Sequence, residues 1–194
     1  MKKNKFNGLK GVLIVLFLAV LLIVYFVHLS NKASEPTEEV SKKLTEVQEV
    51  LNRNLVTNYP SSPKEVVKYF SEITKCYYDP SLQDNDVINL GTKMLQIYDA
   101  ELIAAKPFEM YMADLRSDIA FYNSNGYIIS SYSPSPSTDV FYFEEDGYKW
   151  ARTWCSFTIK SGQNYKTVQE VFILRKDADS HWKIYGWEQV SADE

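Results

Sequence analysis

Apolar positions change their rhythm several times along the chain. From Val12 to Leu29 a run of 18 residues (VLIVLFLAVLLIVYFVHL) carries no acid or base apart from His28. As a helix it reaches about 27 Å, near the thickness of a bilayer's hydrocarbon layer, and a membrane-spanning helix is the expected element. Beyond it Val40, Leu44, Val47 and Leu51 recur every three or four residues. Such a stripe predicts a stalk helix leaning on the domain that follows; a coiled-coil dimer would need three or four heptads. At Ser62-Pro63-Lys64-Glu65 a capping residue, a proline suited to the first helical position and a glutamate three residues after the cap coincide. That helix runs to about Tyr77, with Val66, Phe70, Ile73 and Tyr77 on one face and Val67 and Thr74 beside them. A second helix is expected from Asp84 toward Leu102, carrying Val87, Leu90, Met94, Leu95 and Tyr98. A third opens at Pro107, presents Met110, Tyr111, Leu115, Ile119 and Tyr122, and stops at Asn123-Ser124-Asn125-Gly126.

After Gly126 the period turns to alternation, and the remaining breaks read as hairpin turns: Glu145-Asp146-Gly147, Lys160 to Asn164, and Asp177-Ala178-Asp179-Ser180. Strands are expected at about Tyr127 to Ser133, Asp139 to Glu144, Tyr148 to Ile159, Tyr165 to Arg175 and Trp182 to Gln189, joined as a meander. The first should be an edge or end at Pro134 and Pro136, which cannot donate ladder bonds. The fold class is therefore α+β: a transmembrane helix and a stalk helix, then three helices packed on a curved antiparallel sheet of about five strands. The expected organisation is a tail at 1–11, a span at 12–29, a linker and stalk at 30–58, and a domain at 59–194.

Charge orients the chain. Lys2, Lys3, Lys5 and Lys10 precede the apolar run, and the other flank carries Lys32 before Glu35, Glu38 and Glu39. Positive charge stays inside, so the tail is read as cytoplasmic and the domain as extracellular. A cleaved signal would have a shorter apolar core and small residues before the cut, which His28 to Ser34 does not offer. The segment is read as an uncleaved signal anchor whose partner is the lipid bilayer. With those four lysines set aside, 17 bases face 25 acids, a balance of −8 that suits a surface domain and excludes nucleic acid as a partner. Cys76 and Cys155 both fall outside the membrane, where a disulfide or two buried thiols are both open.

Candidate chemistry is sparse. His28 and His181 are the chain's 2 histidines, and neither cysteine belongs to a C-x-x-C pair, so zinc is not expected. Asp84-Asn85-Asp86 and Asp177-Ala178-Asp179 lack the glycine and glutamate of a calcium loop. His181 follows a hairpin turn and reads as solvated. There is no G-x-S-x-G elbow, so a serine triad is set aside, and no cofactor or metal is called for. On the longest strand Trp150, Arg152, Trp154 and Ser156 share one face, and Ala151, Thr153, Cys155, Phe157 and Ile159 share the other. The smaller set should face the core, leaving Trp150, Arg152 and Trp154 as a candidate binding patch on the outer face, unless the stalk or a loop covers it. On the next strand Glu170 would sit among Val168, Phe172 and Leu174 if that face points inward, where burial would raise its pKa and make it a candidate ligand contact. The preferred register puts Thr167, Gln169, Val171 and Ile173 inward and leaves Glu170 in water or a salt bridge.

The succession of helices and a long antiparallel sheet, ending in Ser180-His181-Trp182-Lys183-Ile184-Tyr185-Gly186-Trp187, resembles the cone-shaped fold of nuclear transport factor two and steroid isomerase. Within it, the stretch Thr57 to Phe70, the Ser130-Ser131-Tyr132 strand, Ser137-Thr138-Asp139-Val140 and Phe172 to Asp177 resemble an uncharacterised family of single-pass membrane proteins from clostridial, Gram-positive bacteria, a domain of unknown function. That resemblance implies a fold and an address, with no activity to carry over. The expected role is non-catalytic: a membrane-anchored binding module for a small apolar ligand in the cone or a surface protein on its outer face. An alternative is a scaffold subunit of a conjugation or secretion machine, self-associating as a homodimer. A third is an isomerase or cyclase, which needs a deep pocket with a buried acid beside a tyrosine or histidine.

Overall fold

Side-chain caps set several of the helix starts in the computed structural model, which describes residues 45–190. Thr45 and Gln48 form a reciprocal capping box at the head of α1 (Glu46–Asn52). Ser62 Oγ accepts from the Glu65 N–H at 3.3 Å, and Pro63 opens α2 (Pro63–Tyr77) as the sequence predicts. Next come α3 (Asp84–Leu95), α4 (Ala100–Ala104) and α5 (Phe108–Ser124). Val66, Val67, Phe70, Ile73 and Tyr77 of α2 are all buried, and this helix lies across the sheet.

The helix expected from Asp84 to Leu102 is broken in two. Ile97 and Tyr98 leave the helix to pair with the sheet edge: the Asp99 N–H donates to the Ile184 carbonyl at 2.8 Å, and the Ile184 N–H donates to the Ile97 carbonyl at 2.9 Å. Asp99 then caps α4 by accepting from the Glu101 N–H at 2.9 Å. A second correction concerns α5, where Met112 and Leu115 are buried and Met110, expected in the core, is 57% exposed. Gly91 on α3 lies against the inward Met112: a Cβ built there would meet the Met112 sulfur at 2.8 Å.

The sheet is antiparallel and five-stranded, with β1 (Tyr127–Pro134), β2 (Phe141–Glu145), β3 (Tyr148–Ser161), β4 (Asn164–Lys176) and β5 (Trp182–Val190). It is not a simple meander. β1 and β2 share one side of β3, β1 opposite Cys155 to Ser161 and β2 opposite Tyr148 to Arg152. Pro134 ends β1 as anticipated. The chain then turns through a short 3-10 segment, and Ser135 fills the gap, its N–H donating to the Trp154 carbonyl at 2.9 Å and its hydroxyl sharing a 2.7 Å hydrogen bond with buried Thr153. Asp146 and Gly147 both adopt positive φ, 51° and 77°, the geometry of a tight hairpin between β2 and β3.

The face of β3 expected inward is inward: Ala151, Thr153, Cys155 and Phe157 are buried under the helices. The preferred register of β4 is corrected. Phe172 lies opposite Thr153 and Leu174 opposite Ala151, both fully buried, so the Val168–Glu170–Phe172–Leu174 face meets the helices and Val171 and Ile173 lie on the open side. Cys76 and Cys155 are buried free thiols. Among the described residues no helix is long and apolar enough to cross a membrane. The expected span Val12 to Leu29, its flanking lysines, and Val40 and Leu44 of the stalk stripe lie outside the described residues.

Candidate functional site

Register places Glu170 opposite Cys155 on the helix-covered side of the sheet. There it lines a cavity of about 370 Å³ with Thr74 and Tyr77 of α2, Tyr78 at its C-terminal cap, Tyr98 from the break between α3 and α4, Tyr111 and Leu115 of α5, and Trp187 of β5. Among the described residues no hydrogen bond or ion pair engages the Glu170 carboxyl. Burial alone pushes its pKa up to about 7, because the charged form loses water and gains no partner. The phenols around it answer to the same cause: burial raises the Tyr77, Tyr78, Tyr98 and Tyr111 hydroxyls, which stay protonated at neutral pH. The Tyr77 and Tyr111 hydroxyls are 3.3 Å apart, within hydrogen-bond distance. At the rim Lys106 forms an ion pair with Asp114, and Asp118 stands one helical turn further along α5.

A second cavity, about 450 Å³, adjoins the first and shares Tyr98, Lys106, Tyr111 and Trp187 with it. Its remaining walls, from Leu95 through Ile103 to Phe108, are almost wholly apolar. The two cavities share these four residues as wall, one apolar and the other bearing hydroxyls and a carboxyl, which together match the usual composition of a small-molecule site, and their volumes lie in the usual range.

The other sequence candidates are on the opposite side of the sheet. Trp150 and Arg152 line an open groove of about 520 Å³ with Val171, Ile173 and Gly186 along it. Trp154 sits half-buried opposite Val171, and Arg152 is exposed. Trp150 is already engaged. Its indole N–H donates to the Glu145 carbonyl at 3.1 Å, its ring meets Tyr185 edge-on with centroids 5.0 Å apart, and the Arg175 guanidinium lies 5.5 Å from its centre. Arg175 also lies over Tyr148 and Tyr185, and its Nε and terminal nitrogen donate to both oxygens of buried Asp99 at 2.9 and 2.6 Å. So Glu170 is separated by the sheet from the three residues it was grouped with.

His181 is half-buried and stacks on Tyr59 with centroids 4.2 Å apart. Donor atoms of Asp177, Asp179 and His181 fall within 4.8 Å of one another. Asp177 is nonetheless committed, accepting from the His181 N–H at 2.8 Å and facing the Lys183 ammonium at 3.8 Å, which supplies the positive charge a cation would bring. Burial lifts the Cys76 thiol to about 12 and raises Cys155 too, so neither is a thiolate nucleophile at neutral pH.

Sequence reasoning named Glu170 but missed the tyrosines that surround it. The missed signal was the turn at Gly162-Gln163. A two-residue hairpin pairs Ser161 with Asn164, and counting back along both strands brings Glu170 opposite Cys155, a residue already assigned inward.

A family described as Domain of unknown function (DUF6715) matches residues 1–187. The comparison with curated proteins found no match.

Proposed function

The chain belongs to the DUF6715 family, a domain of unknown function, and we propose that its described domain is a binding module for a small, largely apolar molecule held in the cleft between the helices and the sheet. The observation that carries this reading is the neighbouring pair of cavities, about 450 and 370 Å³, that share Tyr98, Tyr111 and Trp187 as wall. An apolar guest gains by leaving water for the first chamber, and the second offers hydroxyls to orient it. The helix order and the bulged sheet support a cone of the nuclear-transport-factor-two kind. The lysine-flanked run at 12–29 supports an anchor that keeps the domain at the outer membrane surface, where a guest drawn from the bilayer is at high local concentration.

The test is saturable binding of a neutral apolar fluorophore, 1-aminoanthracene, to the full chain in lipid nanodiscs, with empty discs subtracted. One site is expected, and Ala104→Trp, which fills the apolar chamber, should abolish it. A signal that never saturates, or that survives Ala104→Trp, overturns the reading.

A specific observation favours a second reading, proton transfer of the isomerase or cyclase type. Glu170, with a pKa near neutrality, sits in one chamber with the protonated Tyr98 and Tyr111 hydroxyls, a base beside neutral donors. Exchange of an acidic C–H of a bound ketone with solvent deuterium, lost in Glu170→Gln, would favour it over simple binding.

A further inference from the structure

We propose that the guest of the cleft is an organic cation, an amphiphile whose ammonium head occupies the Glu170 chamber and whose apolar body lies in the chamber beside it. The proposal rests on the small-molecule reading above and adds the sign of the guest's charge.

Three features point the same way. The first is Glu170 itself, a carboxyl on the covered face of β4 with no positive group engaging it among the described residues. A half-buried carboxylate gains from a cation that answers it, and here that cation would be the guest's. The second is the wall material. Tyr78, Tyr98, Tyr111, Phe70 and Trp187 surround the chamber, and the faces of such rings attract a cation. The third is the sign of the rim. Asp114 and Asp118 stand there with Lys106, whose charge is already taken by Asp114. That leaves Asp118 as the uncompensated charge at the rim, so an anionic guest would enter against it, whereas a cation would be drawn in.

The molecule shows the same recipe elsewhere with its cation in place. On the open side of the sheet, Arg175 lies within 5.5 Å of the ring centres of Tyr148, Trp150 and Tyr185 and is answered by Asp99 and Glu101. Carboxylate and ring faces there enclose a positive charge supplied by the chain. The Glu170 chamber repeats carboxylate and ring faces without a resident positive charge.

The experiment compares three guests of one shape, 4-phenylbutyltrimethylammonium, 4-phenylbutanol and 4-phenylbutanoate, by calorimetric titration of the full chain in nanodiscs at pH 8 with empty discs subtracted. The ammonium compound should bind about tenfold more tightly than the alcohol, with the carboxylate weakest. Glu170→Gln, which keeps the shape, should bring the ammonium compound down to the alcohol's affinity, and a cooperative urea unfolding transition shows that the variant is folded. In the unaltered protein the preference should fade between pH 8 and pH 6 as Glu170 gains its proton, and in Glu170→Gln no such trend should remain. Equal binding of ammonium and alcohol overturns the cation and spares the small-molecule reading. A preference that survives Glu170→Gln overturns the assignment to that carboxyl, and no saturable binding of any of the three overturns both readings.

Discussion

Asp99 and Glu170 are acids withdrawn from water on opposite sides of one sheet, and the chain treats them differently. Asp99 is 3% exposed and is met by a two-point guanidinium contact, a helix N-terminus to cap and a shell of three aromatic rings around its partner. Glu170 is withdrawn among tyrosines and receives none of these. The first arrangement fixes structure, since it ties α4 to the far end of β4 and leaves no polar group wanting. The second carries a cost that folding alone does not explain. A half-buried carboxyl that is unpaired among the described residues and faces a cavity is the feature on which the proposed binding site rests.

The contrast can be broken from either side. The largest effect should come from Arg175→Met, which leaves Asp99 buried with no counter-charge and is expected to cost about 3 kcal/mol in urea unfolding at neutral pH. A loss below about 1 kcal/mol would mean that the pair is not the clamp described. Glu170→Gln should act in the opposite sense. The folded protein holds the Glu170 proton up to about pH 7, and the unfolded chain releases it near the ordinary carboxylate value of 4.5. The folded state therefore binds more protons between these values, and stability falls as pH rises through that window. The variant should match the unaltered protein at pH 4.5 and exceed it by about 2 kcal/mol at pH 8, read from the same unfolding curves. Equal stability at both pH values would place Glu170 in water. The smallest effect should be that of Tyr185→Phe, which removes the 3.0 Å hydroxyl contact to exposed Glu101 and should leave the urea unfolding midpoint almost unchanged. A large loss there would extend the clamp beyond Arg175.

Much of the frame was legible because local signals agreed. Ser62, Pro63 and Glu65 begin α2 whatever packs on it, and Asp146-Gly147 closes its hairpin by backbone preference alone. The helix expected to run through to Leu102 failed because the apolar spacing of Met94, Leu95, Tyr98 and Leu102 continues smoothly across a break made by partners far away, Ile184 and Arg175. The face of β4 failed for another reason. Val171-Phe172-Ile173-Leu174 is apolar at every position, so alternation carries no information there, and only pairing with β3 decides which side is inside. The candidate patch at Trp150, Arg152 and Trp154 was read correctly as outward-facing, yet part of its aromatic surface already serves Arg175. Tyrosines from α2, α5 and the Tyr98 break converge on Glu170 only after the chain has folded, and no spacing along the sequence announces that meeting.

The bridge between Tyr98 and Ile184 sets how the cleft can breathe. Because the amides of Asp99 and Ile184 are both spent on it, the Tyr98 wall travels with the sheet as one body. Tyr111, by contrast, belongs to α5 and follows the Lys106-Pro107 corner at which that helix begins. The two walls of the proposed site therefore hang on different parts of the frame, one on the sheet edge and one on the start of α5.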